Sequence, residues 1–269
     1  MVIGVVIPVY RPLPTADEGL SLRRTLMVLD KYPLILVCPE TLDISRYEEI
    51  AMDYRQVLQA ERFNDNYFLG IAGYNRLLLS ECFYRRFQDF DYILICQLDA
   101  YVFRDELKEW CQKNYDYIGA PLIGHYQDQS FSKKMRVGNG GFSLRSVQTI
   151  LRYFDSRKNV FSPSQTAERI SLWKKPYTRI FVWLLMMLGW RNKPVSVAAN
   201  WKYNEDDFWS GLLNGTRYQL RTPEIAEAIR FSFERFPSEL YEMNHHQLPF
   251  GCHAWRKYQY ESFWSKYID

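Results

Sequence analysis

Three short clusters carry residue types able to do polar chemistry together. The first is Gln97-Leu98-Asp99, directly after an apolar run at 92–96. A carboxylate just past a buried strand is held rigidly at the ligand edge of a sheet. There it can bind Mg²⁺ or Mn²⁺, which favour oxygen ligands and bridge phosphates; the same residue also suits a strand-end turn. The second is Asn204-Glu205-Asp206-Asp207. Three consecutive acids repel one another, and a helix N-terminus capped by Asn204 relieves part of that because its dipole favours negative charge. The chemical alternative is a general base, a carboxylate that takes the proton of an attacking hydroxyl. Asp206 and Asp207 point about 100° apart on a helix start, so only one is expected to face a pocket. The third is His253, in Pro249-Phe-Gly-Cys-His253-Ala-Trp255. Imidazole can complete a Mn²⁺ site begun by a carboxylate, although a lone histidine is more often a packed, hydrogen-bonded residue. His245 and His246 are adjacent, cannot both face one ion, and read as structural or acceptor-side residues.

Such groups need a scaffold that brings distant positions to one edge. Apolar runs at 2–9, 34–38 and 92–96 read as buried strands, and the segments between them have helical length and spacing. Helical character is expected over 17–30 and over 70–87. Ser45 with Glu48 reads as a capping box opening a further helix. Strands alternating with helices give an α/β fold with a mostly parallel central sheet flanked by helices. Ligands of such sheets bind at the carboxyl ends of the strands. A nucleotide is therefore expected against Pro8, Tyr10 and Arg11 and the turn at Glu40, with Tyr10 stacking on the base and Arg11 meeting phosphate. Downstream, 137–144 is a glycine-dense turn running into a strand, and Thr222-Pro223 reads as N-cap and first helical position. The stretch from Ser238 onward reads as aromatic-rich loop.

The 269 residues are 47% hydrophobic and 24% charged, which makes a globular chain able to bury a core. A net charge of +3, without an arginine-rich stripe, gives no nucleic-acid partner. Aromatics at 17% suit sugar sites, membrane interfaces or a tyrosine-rich core alike. Five cysteines without a C-x-x-C pair read as free thiols, and the N-terminus lacks a charged, cleavable leader, so the cytoplasm is expected. The run 180–188 is too short to span a bilayer, which takes about 20 residues. Basic flanks and Trp173, Trp183 and Trp190 suit 169–193 to lie on an anionic membrane, at the inner face of the cytoplasmic membrane, unless it is a core helix.

The order of Gln97-Leu-Asp99, Gly138-Asn-Gly-Gly-Phe142, Asn204-Glu-Asp206 and Gly251-Cys-His253 resembles the nucleotide-sugar transferases of the GT-A fold, over nearly the whole chain. More closely, it resembles a bacterial-type family of uncharacterised domains in that clan, with the Gly-Gly-Phe and Glu-Asp motifs of inverting galactosyltransferase-like families. The resemblance implies a single domain, 1–269, with a nucleotide half at 1–103 and an acceptor half at 104–269. It implies Asp99 as the second Asp of the Asp-x-Asp metal motif, His253 as the C-terminal metal ligand, and Asp206 as the base. Glu205 would hold a sugar, and Asn139, Gly140, Gly141 and Asn204 would shape the sugar and acceptor pocket. Gln97 departs from the pattern, since it stands where the first Asp belongs. The implied activity is inverting transfer from a nucleotide diphosphate sugar, UDP-sugar favoured, to a glycan or polyprenyl-linked acceptor with Mn²⁺ or Mg²⁺. The competing readings are a nucleotidyltransferase, which would want a Gly-rich phosphate loop where Pro8-Val-Tyr10-Arg-Pro12 stands, and a non-catalytic carbohydrate-binding protein at the membrane.

Overall fold

The apolar runs become the inner strands of a six-stranded sheet. The structure, a computed structural model, describes residues 1–124, 131, 135–171 and 176–268. Its strands are β1 (Ile3–Pro8), β2 (Leu34–Pro39), β3 (Leu58–Phe63), β4 (Tyr92–Cys96), β5 (Ala100–Val102), β6 (Tyr117–Gly119), β7 (Pro121–Ile123), β8 (Met135–Val137), β9 (Phe142–Ser146), β10 (Ser232–Phe233) and β11 (Gly251–His253). The large sheet runs β3-β2-β1-β4-β9-β6. Its first four strands are parallel, and β9 joins β4 and β6 antiparallel. A three-stranded sheet, β10-β11-β5, and the β7–β8 hairpin complete the strands.

The runs are continuous because both faces of the large sheet are covered. Alternate residues divide between two cores. Val5, Ile7, Leu36, Leu94 and Cys96 face one core, which takes in α1 (Ala16–Val28), α2 (Ser45–Asp53) and α5 (Leu107–Gln112). Val6, Ile35, Val37, Ile93 and Ile95 face the other, with α3 (Gly70–Leu78), α4 (Glu81–Arg86), α6 (Val147–Asp155) and α9 (Pro194–Ala199). All five cysteines are free, and Cys82 is the exposed one.

Several local expectations are corrected. Ser45 caps nothing: its hydroxyl and amide both donate to Asp43, so α2 starts at Ser45 itself, while a capping box that does form joins Thr15 to Glu18. The helical stretch 70–87 breaks after Leu78, and Ser80 caps α4. Thr222 and Pro223 stay outside α11 (Ile225–Phe231), whose N-cap is Glu224. The stretch from Ser238 is not loop throughout, since α12 (Pro237–Met243) and β11 lie there. β11 is too short to show a period, yet pairing with β5 and β10 satisfies its backbone.

In 169–193, α7 (Pro163–Ser171) packs on α8 (Arg179–Met187) as a hairpin. Val182 and Met186 close on Ile170, while Ile180, Phe181, Leu184 and Leu188 stay exposed, so α8 is no core helix. Trp183 is half-buried against this hairpin and donates to the Pro163 carbonyl at 3.0 Å. Trp173, Lys174 and Lys175 lie outside the described residues. No helix among the described residues is long and apolar enough to cross a membrane.

Candidate active site

The large sheet delivers its polar residues where β4 ends. A tight turn follows Cys96: the Gln97 amide donates to the Gly141 carbonyl at 2.9 Å and the Ala100 amide to the Gln97 carbonyl at 2.9 Å. This turn lifts Asp99 out at the carboxyl edge of the strand. His253 arrives from β11, which pairs antiparallel with β5 so that residue 253 stands opposite Ala100. Its Nε2 lies 3.2 Å from Asp99 Oδ1 and 3.2 Å from Gln97 Oε1. On the other side of the ring, Glu234 Oε1 stands 3.3 Å from Nδ1, at ion-pair distance without hydrogen-bond alignment. Burial disfavours the imidazolium, but Asp99 and then Glu234 outweigh it and push His253 up to about 10. Burial likewise opposes charge on Asp99, and His253 outweighs it, holding that carboxyl below the usual carboxylate range.

The second group sits on the glycine turn ahead of β9. Asn139 adopts a left-handed backbone (φ 67°), a conformation open to Asn because its short side chain bonds locally; its Oδ1 accepts from the Gly141 amide at 2.9 Å. Glu205–Asp207 form a single helical turn, α10, that runs into a wider turn at 208–212. Asn204 is its N-cap by backbone, but its side chain caps nothing and meets Asn75 Nδ2 at 3.4 Å. Asp206 is buried and accepts from the Asn139 amide (2.8 Å, Oδ2) and the Asp207 amide (2.8 Å, Oδ1). Burial, then the neighbouring Asp207 charge, raises its pKa despite those amides. Glu205 is buried too, with Oε1 2.7 Å from Arg145 Nη2 and Oε2 without a partner among the described residues. Burial pushes its carboxyl up to about 7, against the pull of Arg145. Arg145 itself is fully buried, held by Ser143 Oγ and Tyr84 Oη at 3.0 Å each.

The glycines are there because these side chains need the space. A Cβ on residue 140 would collide with Glu205 Oε1, and one on residue 141 with His253 Nε2.

Both groups line one cleft of about 960 Å³, together with Pro8, Tyr10, Arg11, Asn139, Gly140, Gly141 and Asn204. Glu40 is the sequence-expected residue that the cleft leaves out: it is exposed in the turn after β2, its amide bound to the Phe63 carbonyl. Asp206 and Asp207 both line the cleft, against the expectation that only one could. The cleft is wide enough to reach Asp207, whose carboxylate is paired with Arg136. Arg11 pairs with Glu18 at 2.8 Å and lies over the Tyr10 ring at 5.1 Å. Sequence reasoning missed Asn75, Arg136, Arg145 and Glu234. Arg145 had a signal, a cation in a strand-forming run; the others had none.

Gln97 Oε1, Asp99 Oδ1 and, once its proton has left, His253 Nε2 could hold a hard divalent ion: each oxygen stands 3.2 Å from the ring nitrogen, about the separation of neighbouring ligands around such an ion. The trio depends on an amide oxygen, since no group of three or more His, Cys, Asp or Glu able to hold a metal occurs among the described residues.

Residues 57–253 match the model of a family described as "Protein of unknown function (DUF5672)". No curated protein matches. Among solved structures, an active-site mutant of LgtC is similar at 12% identity and a TM-score of 0.51, over 93% of this chain and 86% of that one. The galactosyltransferase LgtC in complex with donor and acceptor sugar analogs gives 10% and 0.49 over the same shares. Core-mannan synthase A from Aspergillus fumigatus, in a Mn/GDP form, gives 8% and 0.43 over 77% and 71%. The first likeness shows a shared fold, the mixed α/β architecture of GT-A glycosyltransferases.

Proposed function

Because this chain belongs to the DUF5672 family, whose description assigns no activity, we propose from its own residues that it is a metal-dependent, inverting glycosyltransferase. It moves a sugar from a nucleotide diphosphate donor, UDP-sugar favoured, to a hydroxyl of a glycan or polyprenyl-linked acceptor. The observation that carries this reading is the meeting, in one cleft, of a hard-ligand trio and a buried carboxylate pair seated on a glycine turn. Two unpartnered buried atoms support it, Glu205 Oε2 and Asn139 Nδ2. An acceptor and a donor left without partners each cost about 1–3 kcal/mol, and a hydroxyl-rich ligand satisfies both kinds.

In this reading the nucleotide lies against Pro8, Tyr10 and Arg11, and the sugar against the turn of Asn139, Gly140 and Gly141. Gln97, Asp99 and His253 would hold Mn²⁺ or Mg²⁺, which neutralises the diphosphate and stabilises the leaving group. Seven carboxylates line the cleft against four arginines and His253, so a bare diphosphate would meet an excess of negative charge. Asp206 takes the acceptor's proton: two amides fix its orientation, and burial makes it a stronger base than an exposed aspartate. Glu205, anchored on Arg145, offers Oε2 to a sugar hydroxyl. The fold is shared with LgtC, and five free thiols favour a reducing cytoplasm.

Calorimetry of UDP, GDP and CDP with and without Mn²⁺ is expected to show metal-dependent binding of one of them, and turnover is expected to stop in EDTA. Asp206→Asn should lower kcat about 100- to 10,000-fold while nucleotide affinity holds, and Asp207→Asn should do much less. Metal-independent turnover, or retention of the donor's anomeric configuration in the product, contradicts the proposal.

A further inference from the structure

We propose that the α7–α8 hairpin docks this protein on the surface of an anionic lipid bilayer. The argument stands on the hairpin's own geometry and charge, apart from the glycosyl-transfer reading. Tyr177, Ile180, Phe181, Leu184 and Leu188 are all exposed, from 49% at Leu184 to 84% at Leu188. Ile180, Phe181 and Leu184 share one stripe of α8, with Tyr177 in the turn just before the helix and Leu188 at its C-cap. The opposite stripe, Val182 and Met186, is already packed on Ile170. The helix is therefore apolar on two faces and the protein covers one. An exposed apolar stripe of this kind marks an interaction surface.

Charge decides the occupant. Between Glu168 and Glu205 the sequence has no acid and seven cations, from Arg169 to Lys202. Arg191 lies over the exposed Trp190 ring at 4.9 Å, just past the C-terminal end of α8, while Arg169 on α7 is exposed and lies over the buried Phe161 ring at 4.1 Å. An exposed apolar stripe within a segment that carries cations and no acid matches the acyl boundary and headgroups of anionic lipid. A second copy is the poorer match, because a two-fold contact through this stripe would bring two basic, acid-free segments together. With nine residues α8 spans roughly 14 Å at about 1.5 Å per residue, half of a hydrocarbon core of about 30 Å. It therefore lies in the interface plane.

Flotation with vesicles of phosphatidylcholine plus phosphatidylglycerol tests this, against vesicles of phosphatidylcholine alone. The whole protein is expected to float with the anionic vesicles, much less with the neutral ones, and less as salt rises. Phe181→Glu with Leu184→Glu should reduce the bound fraction about tenfold or more. These side chains are exposed, so the unfolding midpoint should stay unchanged. Arg191→Glu should weaken binding to the anionic vesicles without touching the apolar stripe. Three results overturn the proposal: no flotation of the parent, equal flotation of the double variant, or a dimer by light scattering that Phe181→Glu with Leu184→Glu dissolves. Asp206→Asn should float as the parent does, which separates this test from that of the catalytic reading.

Discussion

Glu205 is a carboxylic acid held almost wholly out of water. It shares a fully buried ion pair with Arg145, yet burial dominates its titration, carrying the carboxyl up to about 7 from an unfolded value of about 4.3. The folded protein therefore holds more protons than the unfolded chain between those values, and stability falls as pH rises through that window. Urea midpoints measured from about pH 4.5 to about pH 7.5 should decline accordingly. Glu205→Gln should flatten that slope. Its cost in stability should appear above about pH 7, where the native carboxylate is ionised and Arg145 would lose its counter-charge. An unaltered slope would mean that Glu205 is ionised throughout. Asp99, Glu205, Asp206 and His253 were legible as candidates from residue type, and their proposed roles came from the resemblance that their order carries. Glu234 carried no signal and Arg145 only that of a cation in a strand-forming run, because their meaning lies in partners: Arg145 meets Glu205 across 60 positions, and Glu234 matters only where it faces the His253 ring.

The turn before β9 explains how short elements carry the site. Two of its glycines yield their side-chain space to Glu205 and His253. Gly141→Ala should push the imidazole away from Gln97 and Asp99 and weaken the metal-dependent gain in nucleotide affinity about 10- to 100-fold, as loss of support around a metal ligand does. Calorimetry of nucleoside diphosphate with Mn²⁺ reads this directly; unchanged affinity would remove His253 from the metal site. The inner strands β1, β2 and β4 were plain in the sequence because both their faces are covered and their runs are unbroken. β5, β7, β8, β10 and β11 have three residues or fewer, too few to show a period. Helix starts were misread at two points: the Ser45 hydroxyl goes to Asp43, and α11 begins only after Glu224, two residues beyond Thr222.

Across the whole molecule, two cores hold the large sheet and a third lies under the smaller one. That third core joins Tyr101, Phe233, Cys252, Trp255, Phe263 and Trp264, so it supports the strands that flank Asp99 and carry His253. Trp264 is fully buried and stacks on Phe103 with ring centroids 5.7 Å apart. Trp264→Ala should destabilise the protein by about 3–5 kcal/mol, read as a lower urea midpoint; a loss below about 1 kcal/mol would mean that this core can collapse around the gap. The pairing of β11 with β5 has a consequence for the order in which the parts assemble. It brings His253 to Gln97 across 156 positions of chain, whereas the ladders β1–β2 and β2–β3 close over far shorter loops. Longer loops lose more entropy on closing and form later. Loop closure alone therefore places the meeting of His253 with Gln97 and Asp99 later than the ladders of the parallel strands, which hydrogen exchange pulsed during refolding reads as protection of β1 and β2 before β11.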